Sequence, residues 1–140
     1  MESNVDLMQM LDARERRALR QRELLAQYRR PMVSFTMNIA GPVKNSPLIR
    51  RGYALGRQAL MGQLRRIGAE VLHREEIDEP TGCEGLWAVD MDAAKLKAVT
   101  CEIEDGSELG RLFDMDVLTP EGDKLDRPAP RRCLICGGPA

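Results

Sequence analysis

Two carboxylates two residues apart, Asp114 and Asp116, stand inside the run Gly110-Arg111-Leu112-Phe113-Asp114-Met115-Asp116-Val117-Leu118-Thr119-Pro120-Glu121-Gly122. The run reads as a strand entering a tight turn. Side chains alternate along a strand, so Leu112, Asp114 and Asp116 share one face. Phe113, Met115 and Val117 share the other, which is apolar and reads as core. Two neighbouring carboxylates repel unless a cation lies between them or one takes a proton. An oxygen-liganded divalent ion such as Mg²⁺, the usual partner of substrate phosphates, resolves that conflict. Phosphoryl and nucleotidyl transfer need such an arrangement. An Asp-x-Asp alone also fits a solvated sheet face, but Asp is a poor strand former and two on one strand ask for a reason.

Cations flank this pair in the sequence. Lys44 lies in a Gly-Pro loop just before a helix start, and Arg50, Arg51 and Arg57 follow on that helix. Helix N-termini attract anions, and arginine forks grip phosphate with two hydrogen bonds. Arg111, three residues before Asp114, can reach the same polyphosphate. Singly, each arginine also fits an ordinary surface charge, Arg57 most of all. Glu102 and Glu104 are candidates for a third metal ligand or a proton acceptor, against the plainer reading of a solvated helix face. Cys133 and Cys136 form one Cys-x-x-Cys, half of a zinc site. His73 is the sole histidine and reads as structural, which argues against a Ser-His-Asp triad.

The 140 residues suffice for one domain with a real core. With 4 % aromatic residues, that core must be built from Leu, Val, Ile, Met and Ala. A net charge of -1 argues against a nucleic-acid binder. No apolar run is long enough to span a membrane, and the first residues lack a signal-peptide pattern. The four cysteines therefore read as reduced thiols in a cytoplasmic protein.

The elements that must position these groups follow from periodicity. Asp6 to Tyr28 reads as a helix burying a narrow stripe of Leu7, Leu11, Ala18, Leu25 and Tyr28. Met32 to Ile39 reads as a buried strand. Ser46 caps a helix that starts at Pro47, carries Leu48, Tyr53 or Ala54, Leu55, Ala59, Leu60, Leu64 and Ile67, and ends at Gly68. Ala69–Ile77 and Gly85–Met91 read as strands, and Asp92 caps a helix to about Glu104. Lys124 to Asp126 reads as a short last strand. The expected fold is α+β: an antiparallel sheet in β-α-β-β-α-β, ferredoxin-like order plus an N-terminal helix. Two helices cover one sheet face, leaving the other free for a site. The expected organisation is a single domain over 1–140, with a helix over 1–30 and a tail over 127–140 that holds the cysteine pair.

Three stretches in order, 33–46, 110–122 and 131–136, resemble the apo-citrate lyase phosphoribosyl-dephospho-CoA transferase family over nearly the whole chain. The resemblance implies a triphosphoribosyl derivative of dephospho-CoA as substrate. A serine of the acyl-carrier (gamma) subunit of citrate lyase attacks its α-phosphate, and diphosphate leaves. The motif supports Asp114, Asp116, Lys44 and Arg111 by position; read with the rest of the chain, Asp114 and Asp116 are expected to hold Mg²⁺, Lys44, Arg50, Arg51 and Arg111 to steady the triphosphate, and Glu102 or Glu104 to accept the serine proton. Neither nucleic acid nor membrane is an expected partner. Family members continue past the cysteine pair with a further Cys, basic residues and a His, so zinc at Cys133 and Cys136 is incomplete in these 140 residues. The competing readings are a non-catalytic module that binds the acyl carrier, and a nucleic-acid nucleotidyltransferase. The arginines Arg14, Arg16, Arg17 and Arg20 offer a dock for an acidic carrier, or simply a solvated helix face.

Overall fold

The computed structural model describes residues 4–128. Its elements run α1 (Leu7–Tyr28), β1 (Met32–Met37), α2 (Pro47–Arg66), β2 (Glu70–Glu79), β3 (Gly82–Asp90), α3 (Ala93–Asp105), a short 3-10 helix (Leu109–Leu112) and β4 (Phe113–Leu118). The class is α+β. One four-stranded sheet has the spatial order β2-β3-β1-β4, with every neighbouring pair antiparallel. Among the described residues, no helix is long and apolar enough to cross a membrane.

Local chemistry starts the helices where the sequence indicates. The Ser46 hydroxyl accepts from the Ile49 amide with Pro47 in the first turn, and the Asp92 carboxylate accepts from the Lys95 amide. Asp6 and Gln9 form a reciprocal capping box on α1.

One sheet face presents Val33, Phe35, Trp87, Val89, Phe113, Met115 and Val117 to Tyr53, Leu60 and Leu64 of α2 and to Leu96 and Ile103 of α3. Burial of each large side chain contributes about 1.5–3 kcal/mol. The α2 contact is close because position 56 is glycine. A Cβ there would lie 2.5 Å from the Phe35 ring, so the helix or the ring would have to shift. The buried stripe of α2 is accordingly Gly52, Tyr53, Gly56, Leu60 and Leu64, while the expected Leu48, Leu55 and Ile67 are exposed.

The opposite face is not left free. α1 lies along it, packing Leu24, Leu25 and Tyr28 on Met32, Leu86 and Leu118, and Gln21 donates to the Ser34 hydroxyl. A three-residue link joins α1 to β1, so α1 runs back over β1 and its N-terminal half reaches the Thr36 end. There Ala13 is buried and Met10 and Arg17 are half-buried, with the exposed Arg14 beside them, and the expected Leu7 and Leu11 are exposed. The stripe changes from leucine to arginine because the sheet beneath changes from apolar to acidic.

Strand boundaries differ from the sequence expectation: β2 runs on to Glu79 and β3 begins at Gly82, because the two strands pair up to the tight turn between them. β1 stops at Met37, before the turn at Gly41 with its positive φ. Gly110 to Leu112 is a 3-10 turn, because Gly110 is pressed against the end of α3, where a Cβ would sit 2.5 Å from the Glu104 carbonyl. Lys124 makes a single bridge to Leu118 instead of a last strand.

Candidate functional site

Register assembles the site. Asp114 pairs with Thr36 across β4–β1, and Thr36 pairs with Glu84 across β1–β3; Asp116 pairs with Ser34. Directly paired residues share a face. Asp114, Thr36 and Glu84 therefore form a row beneath the N-terminal half of α1. The row floors a cavity of about 330 Å³. Lys44 from the β1–α2 loop, Arg14 and Arg17 from α1, Thr81 from the β2–β3 turn, and Gly82 and Cys83 from the start of β3 contribute to its walls. The loop is braced where the Val5 amide donates to the Pro42 carbonyl and where Lys44 Nζ donates to the Ile39 carbonyl, 2.6 Å away.

The two aspartates occupy one face, as their spacing indicates, backed by the buried Phe113, Met115 and Val117. The cavity walls and the neighbouring Asp116 push the Asp114 carboxyl up to about 6; Lys124 opposes the shift. Lys124 Nζ lies 3.4 Å from Asp116 Oδ1. The pair carries the like-charge conflict that a bound cation relieves. It is a two-carboxylate set: among the described residues, no group of three or more His, Cys, Asp or Glu could hold a metal.

The other candidates lie apart. Of the four cations, Lys44 lines the cavity, whereas Arg50 lines a separate cavity of about 190 Å³ with Tyr53, Arg57 and Asp78. Arg51 is exposed on α2, and Arg111 is half-buried in the 3-10 turn. Arg57 is not a lone surface charge: it pairs with Glu76 at 3.0 Å. Glu102 is exposed and borders a cavity of about 420 Å³ between α2 and α3.

Glu104 is buried against the outer edge of β4, where its Oε2 accepts from the Met115 amide at 2.8 Å. Arg127 Nη2 is 3.4 Å from its Oε1, and Lys97 Nζ donates to the Met115 carbonyl. These contacts cover an otherwise unpaired strand edge. His73 has close partners, the Tyr28 hydroxyl at 3.1 Å and Glu75 Oε1 at 2.7 Å. Glu75 is in turn forked by Arg20, which holds its carboxyl down at about 2. Cys83 lies near the start of β3, and burial pushes its thiol up to about 11. Cys133 and Cys136 lie outside the described residues.

Sequence reasoning missed Glu84 and did not assign Arg14 and Arg17 to this cavity. Glu84 carried one signal: an acidic residue inside the otherwise apolar run Cys83 to Val89.

Fold and site define an α+β domain with a carboxylate pair facing an arginine-bearing helix, a class of arrangement suited to chemistry on phosphate groups. The CitX family model, described as apo-citrate lyase phosphoribosyl-dephospho-CoA transferase, matches residues 5–140. A protein named apo-citrate lyase phosphoribosyl-dephospho-CoA transferase from Citrobacter koseri is 41 % identical over 137 residues, covering 94 % of this chain and 74 % of the relative. One of the same name from Escherichia coli O1:K1 / APEC is 38 % identical over 136 residues, with the same coverages of 94 % and 74 %. The chain belongs to the apo-citrate lyase phosphoribosyl-dephospho-CoA transferase family and is a transferase. Nothing in these comparisons favours a non-catalytic carrier-binding module.

Proposed function

We propose that this enzyme attaches the 2'-(5''-phosphoribosyl)-3'-dephospho-CoA group to a serine of the acyl-carrier (gamma) subunit of apo-citrate lyase. The serine oxygen forms a bond to the α-phosphorus of triphosphoribosyl-dephospho-CoA, the bond to the diphosphate breaks, and the serine proton is released. The family and the names of the relatives support this reading. The observation that carries it is Asp114, with Asp116 beside it on the same strand face, lining a cavity whose other walls include Lys44, Arg14 and Arg17.

In-line displacement at phosphorus asks for positioning and charge neutralisation more than for covalent help. Lys44, Arg14 and Arg17 would steady the phosphate chain from two sides. Asp114 and Asp116 fit Mg²⁺, which takes one or two hard carboxylates and completes its shell with water and substrate phosphates. When bound, that ion neutralises phosphate charge. Arg50, Arg51 and Arg111 belong to the reading as outer contacts for the rest of a long substrate.

The split β-α-β-β-α-β, ferredoxin-like architecture belongs to the same reading. It is supported by the antiparallel order β2-β3-β1-β4 with α2 and α3 on one face. A cytoplasmic location is supported by Cys83 and Cys101, both free thiols.

The test is intact-mass spectrometry of the apo acyl-carrier subunit after incubation with the enzyme, Mg²⁺ and triphosphoribosyl-dephospho-CoA. A gain of one phosphoribosyl-dephospho-CoA, lost with EDTA, is expected. Asp114→Asn should slow the gain at least about a hundredfold, as loss of a charge-stabilising group does, with the circular dichroism spectrum unchanged. Transfer by Asp114→Asn at the wild-type rate would remove the carboxylate pair from the chemistry.

A further inference from the structure

Glu84 is a charged residue in the middle of a buried strand, only 6 % exposed. Burying a carboxylate costs several kcal/mol unless partners compensate it. Its partners come from α1: Arg17 Nη1 at 3.2 Å and Arg16 Nη2 at 3.6 Å, both on Oε2. Arg16 is half exposed, whereas the Arg17 side chain is 22 % exposed. Arg17 and Glu84 also border two cavities at once. One is the cavity that holds Asp114 and Lys44; the other is an apolar groove of about 220 Å³ over Ile77 and Leu86. A flexible arginine between two cavities has two places to go, and the Glu84 contact fixes its guanidinium on the partition between them.

We propose that Glu84 is a positioning residue: it holds Arg17 so that the unused N–H donors of its guanidinium face the triphosphate in the carboxylate cavity. This rests on the proposed transfer and deepens it by naming what orients one of its phosphate contacts. A guanidinium has five donors, so pairing with Glu84 leaves others for phosphate oxygens. Neighbouring strands are about 4.8 Å apart, so the Glu84–Thr36–Asp114 row spans about 10 Å. That is room for a phosphate chain between Arg17 and Asp114. The carboxylate itself contacts two arginines and needs no part in proton transfer.

The test compares wild type with Arg17→Gln, Glu84→Gln, Glu84→Asp and the Arg17→Gln/Glu84→Gln double variant. Two readouts are taken: KM for triphosphoribosyl-dephospho-CoA in the mass assay, and calorimetric affinity for inorganic diphosphate and tripolyphosphate. Loss of a charged hydrogen bond predicts that Arg17→Gln weakens both by about tenfold to a hundredfold. Glu84→Gln is expected to weaken them in the same direction, and Glu84→Asp to recover part of the loss. The double variant should match Arg17→Gln alone, since Glu84 acts through Arg17. KM for the acyl carrier should stay unchanged.

Unchanged diphosphate affinity in Glu84→Gln, or losses that multiply in the double variant, would overturn the proposal. If Glu84→Gln does not fold, Arg17→Gln and Glu84→Asp decide it. Wild-type phosphate affinity in both refutes the contact. A wild-type chain that binds diphosphate but modifies no carrier would refute the transfer and leave the Arg17 contact standing.

Discussion

Replacing Glu104 with alanine is expected to cost about 3 kcal/mol of folding stability, because the carboxylate closes the outer edge of the strand that carries Asp114 and Asp116. The Met115 amide would lose its acceptor while still buried, a penalty of about 1–3 kcal/mol. Arg127, its side chain 18 % exposed, would lose one acidic partner and keep Asp105 at 2.8 Å, a loss of about 1 kcal/mol. Two buried methylenes add about 0.8 kcal/mol each, and relief of the carboxylate's own desolvation offsets part of the sum. For a domain of this size, 3 kcal/mol corresponds to a fall of about 10 °C in Tm. Glu104→Gln keeps an acceptor oxygen and loses only the charge, so about 1 kcal/mol is expected. Urea unfolding of both variants, beside the carrier mass assay, separates a structural role from a chemical one. Glutamine at 104 should transfer within a few-fold of wild type. If Glu104→Ala were as stable as wild type, the edge-cover argument would fail. If Glu104→Gln kept full stability but lost transfer a hundredfold or more, Glu104 would be the proton acceptor.

Other perturbations probe the frame and its charges. Gly56→Ala should lower stability by about 1–3 kcal/mol by forcing a methyl into Phe35, read as a lower urea midpoint without a change in slope. Glu75 has its folded pKa depressed by Arg20, so its contribution is present above its ordinary value of 4.5 and is lost as pH falls toward 2. The Tm difference between wild type and Glu75→Gln should therefore narrow over that window, and a gap that stays constant from about pH 5 to pH 2 would contradict the pairing. In a variant with its other three cysteines changed to serine, Cys83 should react with maleimide about tenfold or more slowly than in urea, because burial raises its thiol pKa.

Much of the local structure was legible in the residues themselves. Ser46 and Asp92 marked helix starts because a short polar side chain satisfies amides that the helix leaves open. Period two put Asp114 and Asp116 on one face and Phe113, Met115 and Val117 on the other, since alternation is a property of the strand alone. Periodicity misled where an element's neighbour set the polarity. Leu7 and Leu11 looked inward by spacing, yet both are exposed, and Ala13 is buried there with Met10 and Arg17 half-buried beside it.

By itself, then, the sequence determined the helix starts, the core-facing residues of β4 and the carboxylate pair, each a consequence of backbone geometry within one element. The motifs also carried the family. Only the tertiary structure decided which cations share a cavity with Asp114. Lys44 reaches the cavity through a braced loop, Arg50 is drawn to Asp78, and Arg17 arrives from a helix nearly a hundred residues upstream. Only the structure separated Glu84 from Glu104, two buried acids whose roles differ because one faces the cavity and the other a strand edge. Register between strands and the docking of α1 make those assignments, and both depend on contacts between distant segments that no local pattern encodes.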